Sequence, residues 1–325
     1  MRRKLLAFGA ALSAGAGAAW LPRSVGAQSW PDRPITIVVP FPPGAVDALA
    51  RLIGTKASAA LGQPFVYRNV AGAGQRIGTE QVARAPRDGY TLGVVTTTGF
   101  VVGPVLASKA SYDPLTDFTP ITMCTEAPYL LVARADAGVR SVADLIARAK
   151  AQPEALRIGS AGIGSAAHLM AEQLMAAAGI RLNHVPYKGE APVITDLVGG
   201  QIDVAFATTA GSRAQLSTGK LVVLGLTAAE RSPAWPDVPT LKEGGANIVV
   251  SSWLGFVAPA GIPAGVRERL LSAFSAAARD PEVAAAVARI GSQARELSGD
   301  AFAAQVRREV TELRELNKSL KLALD

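Results

Sequence analysis

Short β-branched runs, each ending in a turn rich in glycine, serine or threonine and followed by a helical pattern, recur along this chain and limit what it can fold into. Strand-like runs fall at 35–40, 65–67, 91–96, 130–132, 157–158, 184–186, 202–207, 221–227 and 255–258. Helical periodicity occupies 47–61, 76–85, 142–151, 166–178 and 192–198. This alternation predicts an α/β fold with mostly parallel sheets flanked by helices. Ser141 with Asp144 three residues on reads as a capped helix start. Residues 264–325 carry only helical patterns, broken at Asp280-Pro281 and Ser298-Gly299, and predict a helical tail packed across a preceding sheet. No repeat or low-complexity linker follows residue 30, so a chain that crosses between two bodies more than once fits better than beads on one string.

The N-terminus predicts a destination. Arg2-Arg3-Lys4, an apolar run from Leu5 to Trp20 and a polar stretch ending Val25-Gly26-Ala27 describe a secretory signal peptide cut after Ala27. The apolar run is shorter than the roughly 20 residues a spanning helix needs. The expected location is the periplasm, reached by the general secretory or the twin-arginine route. Removing residues 1–27 takes Arg2, Arg3, Lys4 and Arg23 from a formal net charge of +7, and no acidic residue goes with them. No run of basic residues interleaved with aromatics remains, which argues against nucleic acid as a partner. The remaining roughly 300 residues exceed what one core organises, so two domains are expected. Cys124 is the one cysteine and His168 and His184 the two histidines, which excludes an intramolecular disulfide and Cys/His metal clusters. No cofactor is expected.

Five turns carry the functional expectation. Phe41, Gly44, Ala45, Val46 and Asp47 follow the first strand; Ala73, Gly74, Gln75 and Arg76 follow the second; Thr96, Thr97 and Thr98 end the third. Further on, Ser160, Gly164 and Ser165 lead into the helix that holds His168, and Thr208 ends another strand. In open α/β sheets the carboxyl ends of the strands form the ligand crevice. Helix N-termini there present N–H groups to anions, glycine permits close approach and hydroxyls add donors. A micromolar ligand needs about 8 kcal/mol, which several charge-assisted hydrogen bonds of about 1.5–3 kcal/mol each can supply before association entropy is subtracted.

Enzyme readings find less support. Gly72, Gly74 and Gly78 form G-x-G-x-x-x-G, but the strand before them is not the first, and no acidic residue ends the next strand near Thr96. No G-x-S-x-G elbow and no Walker loop exists. His168 and Glu172 share a face away from the apolar stripe, either as a solvated or capping pair or as a buttress for the 160–165 turn. His184, inside a strand, reads as packing. Asp196 and Asp203 form no obvious acid/base pair, and Lys188 has no catalytic partner.

The chain resembles the Bug (TctC-like) substrate-binding proteins of tripartite tricarboxylate transporters. The resemblance rests on an ordered series: Trp30-Pro31-Asp32-Arg33-Pro34-Ile35, Val39-Pro40-Phe41-Pro42-Pro43-Gly44, Gly62-Gln63-Pro64, Gly72-Ala73-Gly74 before Ile77-Gly78-Thr79-Glu80, and Asp88-Gly89-Tyr90-Thr91-Leu92. It continues through Tyr112-Asp113-Pro114, His168-Leu169, His184-Val185-Pro186-Tyr187-Lys188-Gly189, Gly200-Gln201-Ile202-Asp203, Pro236-Asp237-Val238-Pro239-Thr240 and Trp253-Leu254-Gly255-Phe256. It implies a type II periplasmic binding protein fold: two α/β lobes with a cleft and hinge, lobe 1 from 28–127 plus 226–325 and lobe 2 from 128–225. The implied ligand is a small carboxylate (dicarboxylate, amino acid or aromatic acid) gripped by turns matching 41–47, 71–78 and 160–165. The implied partners are the membrane permease subunits of such a transporter, with the receptor itself a monomer. A ligand sensor feeding a signalling receptor, or a carboxylate-processing enzyme on the same scaffold, are the alternatives. Two departures stand out. The family reads P-F-P-P-G-G-x-x-D where this chain has Gly44-Ala45-Val46-Asp47, one residue shorter, and Gln75-Arg76 replaces its usual Gly-Asn. Arg76 is expected to meet an additional carboxylate or other acceptor of the ligand.

Overall fold

The computed structural model describes residues 30–320, so the signal peptide expected at 1–27 lies outside the described residues. Eleven strands, β1 (Ile35–Val39), β2 (Phe65–Asn69), β3 (Thr91–Thr96), β4 (Phe118–Pro128), β5 (Leu130–Arg134), β6 (Arg157–Ser160), β7 (Asn183–Pro186), β8 (Val204–Ala207), β9 (Leu221–Leu226), β10 (Ser251–Pro259) and β11 (Gln293–Ser298), build two sheets. The first has the order β11-β4-β10-β3-β1-β2 and the second β7-β6-β8-β5-β9. The helices are α1 (Ala45–Leu61), α2 (Arg76–Ala83), α3 (Gly103–Leu106), α4 (Val142–Ala151), α5 (Ala166–Ala178), α6 (Glu190–Val198), α7 (Thr209–Ser217), α8 (Ala264–Ala278), α9 (Pro281–Arg289) and α10 (Asp300–Leu320).

Period-two alternation sends each strand's residues to opposite layers. Ile35, Ile37 and Val39 pack with Leu49 and Ile53 of α1 and Leu270 and Phe274 of α8, whereas Val38 joins Phe302, Val306 and Val310 of α10 on the other face. In the second sheet Leu131 and Ala133 pack with Leu145, Met170 and Leu174 of α4 and α5, and Leu130 and Val132 with Val193 and Leu197 of α6. Gly255 lets α10 ride close to β10, because a Cβ there would stand 2.7 Å from the Phe302 ring. Ser141 caps α4 as its spacing predicts. Its Oγ accepts from Asp144 N–H at 3.1 Å while an Asp144 carboxylate oxygen accepts from Arg140 N–H at 3.0 Å. Ser141→Ala is expected to cost about 1 kcal/mol in a urea melt, and an unchanged midpoint would deny the cap its role.

Both sheets are mixed rather than mostly parallel. β2, β1 and β3 run parallel, but β10 is antiparallel to both β3 and β4. β7, β6 and β8 run parallel, while β5 is antiparallel to β8 and β9. The reversed strands β5 and β10 lie where the chain passes between the sheets: β4 passes straight into β5 across Tyr129, and β9 returns to β10 through residues 227–250. Tyr129 N–H donates to Thr227 Oγ1 at 2.9 Å, Thr227 N–H to the Tyr129 carbonyl at 3.0 Å, and Val250 N–H to the Thr227 carbonyl at 2.9 Å. The crossings are thus bound to one another. Leu241, Ala246 and Ile248 of the returning segment join the core of the second sheet.

Two strands were not foreseen. β11 interrupts the tail expected to be only helical; its sequence QARELS is polar and half exposed, and it becomes a strand by pairing along the β4 edge. β4 contains Pro120, which faces Val257 beside a register shift, one of the places a ladder tolerates proline. No described helix is long and apolar enough to cross a membrane.

Candidate ligand-binding site

The carboxyl ends of β1, β2 and β3 lie side by side. After β1, the chain enters α1 through Gly44, which supplies no side-chain cap, so the first-turn N–H groups of α1, including those of Ala45 and Val46, meet no capping side chain. Asp47, expected to touch ligand, instead holds the turn. Its Oδ2 accepts from Arg51 Nε at 2.8 Å and its Oδ1 from Asn69 Nδ2 at 2.9 Å, and Asn69 also donates to the Phe41 carbonyl at 2.9 Å. These donors hold its carboxyl below the ordinary aspartate range, the hydrogen bond from Arg51 being the largest cause.

After β2 the backbone is left-handed at Ala73 (φ 45°), Gly74 (φ 61°) and Gln75 (φ 80°) in succession. Two non-glycine residues in that region store strain, which persists only where the surroundings impose it. Gln75 supplies part of that restraint: its side-chain oxygen accepts from Thr96 Oγ1 at 2.8 Å, against Gly99, so Gln75 and Thr96 brace two turns rather than offer free groups. Arg76 opens α2 without a side-chain cap behind it. Its Nε donates to the Ala73 carbonyl at 3.1 Å and its stem lies by Gly103. Thr97 is buried, donating to the Ser251 carbonyl at 2.9 Å and accepting from Trp253 N–H at 3.2 Å. Thr98 neighbours the hydroxyl of Tyr129 at the crossing.

On the second sheet, Ser160 ends β6 fully buried, with its Oγ 2.7 Å from His184 Nε2. His184 stacks on His168, ring centroids 4.3 Å apart and planes 14° from parallel. His168 is buried rather than solvated. Its Nδ1 accepts from Gly164 N–H at 3.1 Å, so the ring proton sits on Nε2, which faces Glu172 Oε1 at 3.5 Å. Ser165 caps α5, its Oγ accepting from His168 N–H at 3.2 Å. The histidine pair therefore buttresses the Ser160–Ser165 turn, and burial lowers both pKa values, that of His184 to about 4. Thr208 caps α7 and donates its hydroxyl to the Glu190 carboxylate at 2.9–3.0 Å. Asp196 accepts from the Tyr187 hydroxyl and Asp203 pairs with Arg157, so they do not act together.

Leu169 in the first turn of α5 packs with Val101 and Val102, just beyond Thr98, and Gln75 reaches Gly99 in the same segment. Val46, Ile77 and Ile163, three of the few exposed large apolar side chains, sit on the three glycine-bearing turns. A cavity of about 830 Å³ opens at the β4–β10–β11 end between α5 and α10, with Val101, Val102 and Leu169 in its lining. Among the sequence-derived residues only Thr97 lines it. Two of its arginines are paired with carboxylates, Arg295 with Glu126 and Arg231 with Glu243, and Arg308 donates to the Gln305 side chain. Sequence reasoning overlooked Tyr129, Glu190 and the Ser160–His184 contact. Only the glutamate's position at a helix start, directly after Gly189, gave any hint of its role.

Helix starts without side-chain caps at the carboxyl ends of one sheet, and a braced glycine turn at the carboxyl end of β6 in the other, suit a receptor that closes on a ligand. The family model of the tripartite tricarboxylate transporter family receptor, TctC, matches residues 49–321. The chain belongs to the TctC receptor family. Periplasmic binding protein BugD is 34% identical and superposes with a TM-score of 0.76 over 90% of this chain and 99% of its own. An R. palustris protein solved with adipate is 32% identical with a TM-score of 0.79, covering 90% of this chain and 99% of its own. A UPF0065 protein from the tcbD-tcbE intergenic region of Pseudomonas sp. (strain P51) is 39% identical over 267 residues, 81% of this chain and 79% of that protein. The two-lobed periplasmic binding protein fold expected from the sequence is the fold of these neighbours. TctC proteins are solute-binding receptors, not enzymes.

Proposed function

We propose that this chain is a periplasmic receptor that closes its two lobes on a small carboxylate and delivers it, as a monomer, to the permease of a tripartite tricarboxylate-type transporter. The observation that carries the reading is the contrast in capping. Ser141, Ser165, Thr208 and Asp280 cap their helices, whereas α1 and α2, like α3, α6 and α8, have no side-chain cap. Of these, α1 and α2 start side by side at the expected crevice, although Arg76 N–H of α2 donates to the Ala73 carbonyl. Uncapped N–H groups and helix dipoles there attract an anion. Phe41, Gly44, Ala45 and Val46 would hold it from one side with Ala73, Gly74 and Arg76. The 160–165 turn would close from the other. In this reading Asp47, Gln75, Thr96, Thr97, Ser160, Gly164, Ser165, His168 and Thr208 set the shape of the grip, and Thr98 adjoins the hinge. Of the described residues, 30–127 with 226–320 would form one lobe and 128–225 the other, except that 240–248 would travel with the second. Val46, Ile77 and Ile163 would be covered on closure, adding apolar burial to the grip. The family's transporter role and the adipate-bound neighbour support the ligand class and the partner.

A thermal-shift series over small organic acids tests this. A ligand at a hundred times its Kd should add about 2.7 kcal/mol of stability. Arg76 has no acidic partner among the described residues, and Arg76→Ala should weaken the best ligand by about 1.5–3 kcal/mol in calorimetry. A series in which no acid raises the melting temperature would overturn the receptor reading, and unchanged affinity would remove Arg76 from it.

A further inference from the structure

We propose that Glu190 is a specificity residue that turns away ligands bearing a second carboxylate, so that this receptor takes acids whose far end is uncharged or cationic: monocarboxylates and amino acids with a single carboxylate. The inference rests on the receptor reading above and narrows its ligand. Glu190 opens α6 directly after Gly189, whose N–H donates to the Ala161 carbonyl at 3.2 Å, so its backbone borders the turn between β6 and α5. Its side chain bends to the start of α7. There Oε1 accepts from Thr208 N–H at 2.5 Å, and Thr208 Oγ1 lies 3.0 and 2.9 Å from the two carboxylate oxygens. Gly211 makes room for it, since a Cβ at that position would stand 2.5 Å from the carboxyl carbon.

One acidic side chain thus faces the positive ends of two helices, its own and α7. The anion position at the ligand-facing edge of the second sheet is filled from within the chain. No lysine or arginine among the described residues neutralises it; the Thr208 donors are its only hydrogen-bond partners, and burial pushes its carboxyl above the usual range. Burial is the main cause that raises the Tyr129 hydroxyl, which neighbours Thr98, and the charge of nearby Glu190 adds to it. A ligand held by one carboxylate at α1 and α2 would present its other end to this edge as the lobes close. A second carboxylate would then meet like charge in a site from which water is being expelled, where repulsion is weakly screened. An ammonium or methyl end meets no such barrier.

Titration calorimetry on the full chain with matched sets decides it: butanoate, γ-aminobutanoate and succinate, then hexanoate, ε-aminohexanoate and adipate. In each set the dicarboxylate should bind about ten-fold or more weakly than the better of its two counterparts. Glu190→Gln keeps an acceptor for Thr208, so it should fold, narrow that gap and leave the monocarboxylate nearly unchanged. A dicarboxylate that binds the wild type as well as its counterparts overturns the inference and leaves the receptor reading standing, whatever the variant does. So does an unchanged ratio in a variant of normal melting temperature. Failure of all three classes to bind refutes the receptor reading itself.

Discussion

Replacing Trp253 by alanine is expected to remove about 5 kcal/mol of stability, the largest loss of any single side chain considered. Trp253 is 1% exposed and lies edge-on to Phe302 at 5.3 Å and to Phe100 at 6.4 Å, joining β10 to α10 and to the segment after β3. Truncating a buried tryptophan costs about 3–5 kcal/mol in lost transfer energy and cavity. A second cost follows from its indole N–H, which donates to Glu309 Oε2 at 2.9 Å and Oε1 at 3.2 Å. Burial already pushes the Glu309 carboxyl up, so losing that donor leaves a half-satisfied, partly buried acid at the cavity wall, worth about 1 kcal/mol more. The urea midpoint measures the sum. Trp253→Phe should show mainly the second cost, and Glu309→Gln should recover part of it in the alanine background. A midpoint within experimental error of wild type would contradict this account of the core.

The second large effect is a loss of stability on mild acidification. His184 has a pKa of about 4 in the folded chain against an ordinary value of 6.5, because burial opposes its charge and the stacked His168 adds repulsion. The unfolded chain therefore binds the proton first. The His184 contribution is full above pH 6.5, falls as the pH drops from 6.5 toward 4 and levels off below. Glu190 and Glu309, raised by burial, take up protons first in the folded chain and offset part of the loss. For a partly buried ring the expected loss is about 2 kcal/mol. His168 is shifted the same way and steepens the slope. Asp47, whose pKa lies below 3.8, loses its stabilising ionisation only at lower pH, so the two windows separate. Urea midpoints from pH 7.5 to 4.0 test this, with His184→Gln expected to flatten much of the slope. A wild-type slope that survives in the variant would place the effect elsewhere. Because the pair braces Ser160 and Gly164, ligand affinity should decline over the same range.

Much of the scaffold was legible before any coordinates. The strands at 35–40 and 91–96 and the helices at 142–151 and 166–178 are marked by period and by caps such as Ser141, features written within a few residues of one another. The glycine turns were legible for the same reason, and so was the family, whose signature runs in order along the chain. Other features depend on what lies across the molecule. β11 has no strand pattern of its own and exists because the β4 edge has unpaired backbone groups to satisfy. Ser160 meets His184 across 24 residues, Glu190 meets Thr208 across 18, and Tyr129 meets Thr227 across 98. Hydroxyls and carboxylates that read as ligand contacts were committed to such partners. Sequence alone determined the βα units, their turns and the kind of protein they form, because local backbone preference and side-chain periodicity decide those. Which donors stay free for a ligand was decided only by tertiary structure, since each buried polar group must find a partner and the fold determines which one it can reach.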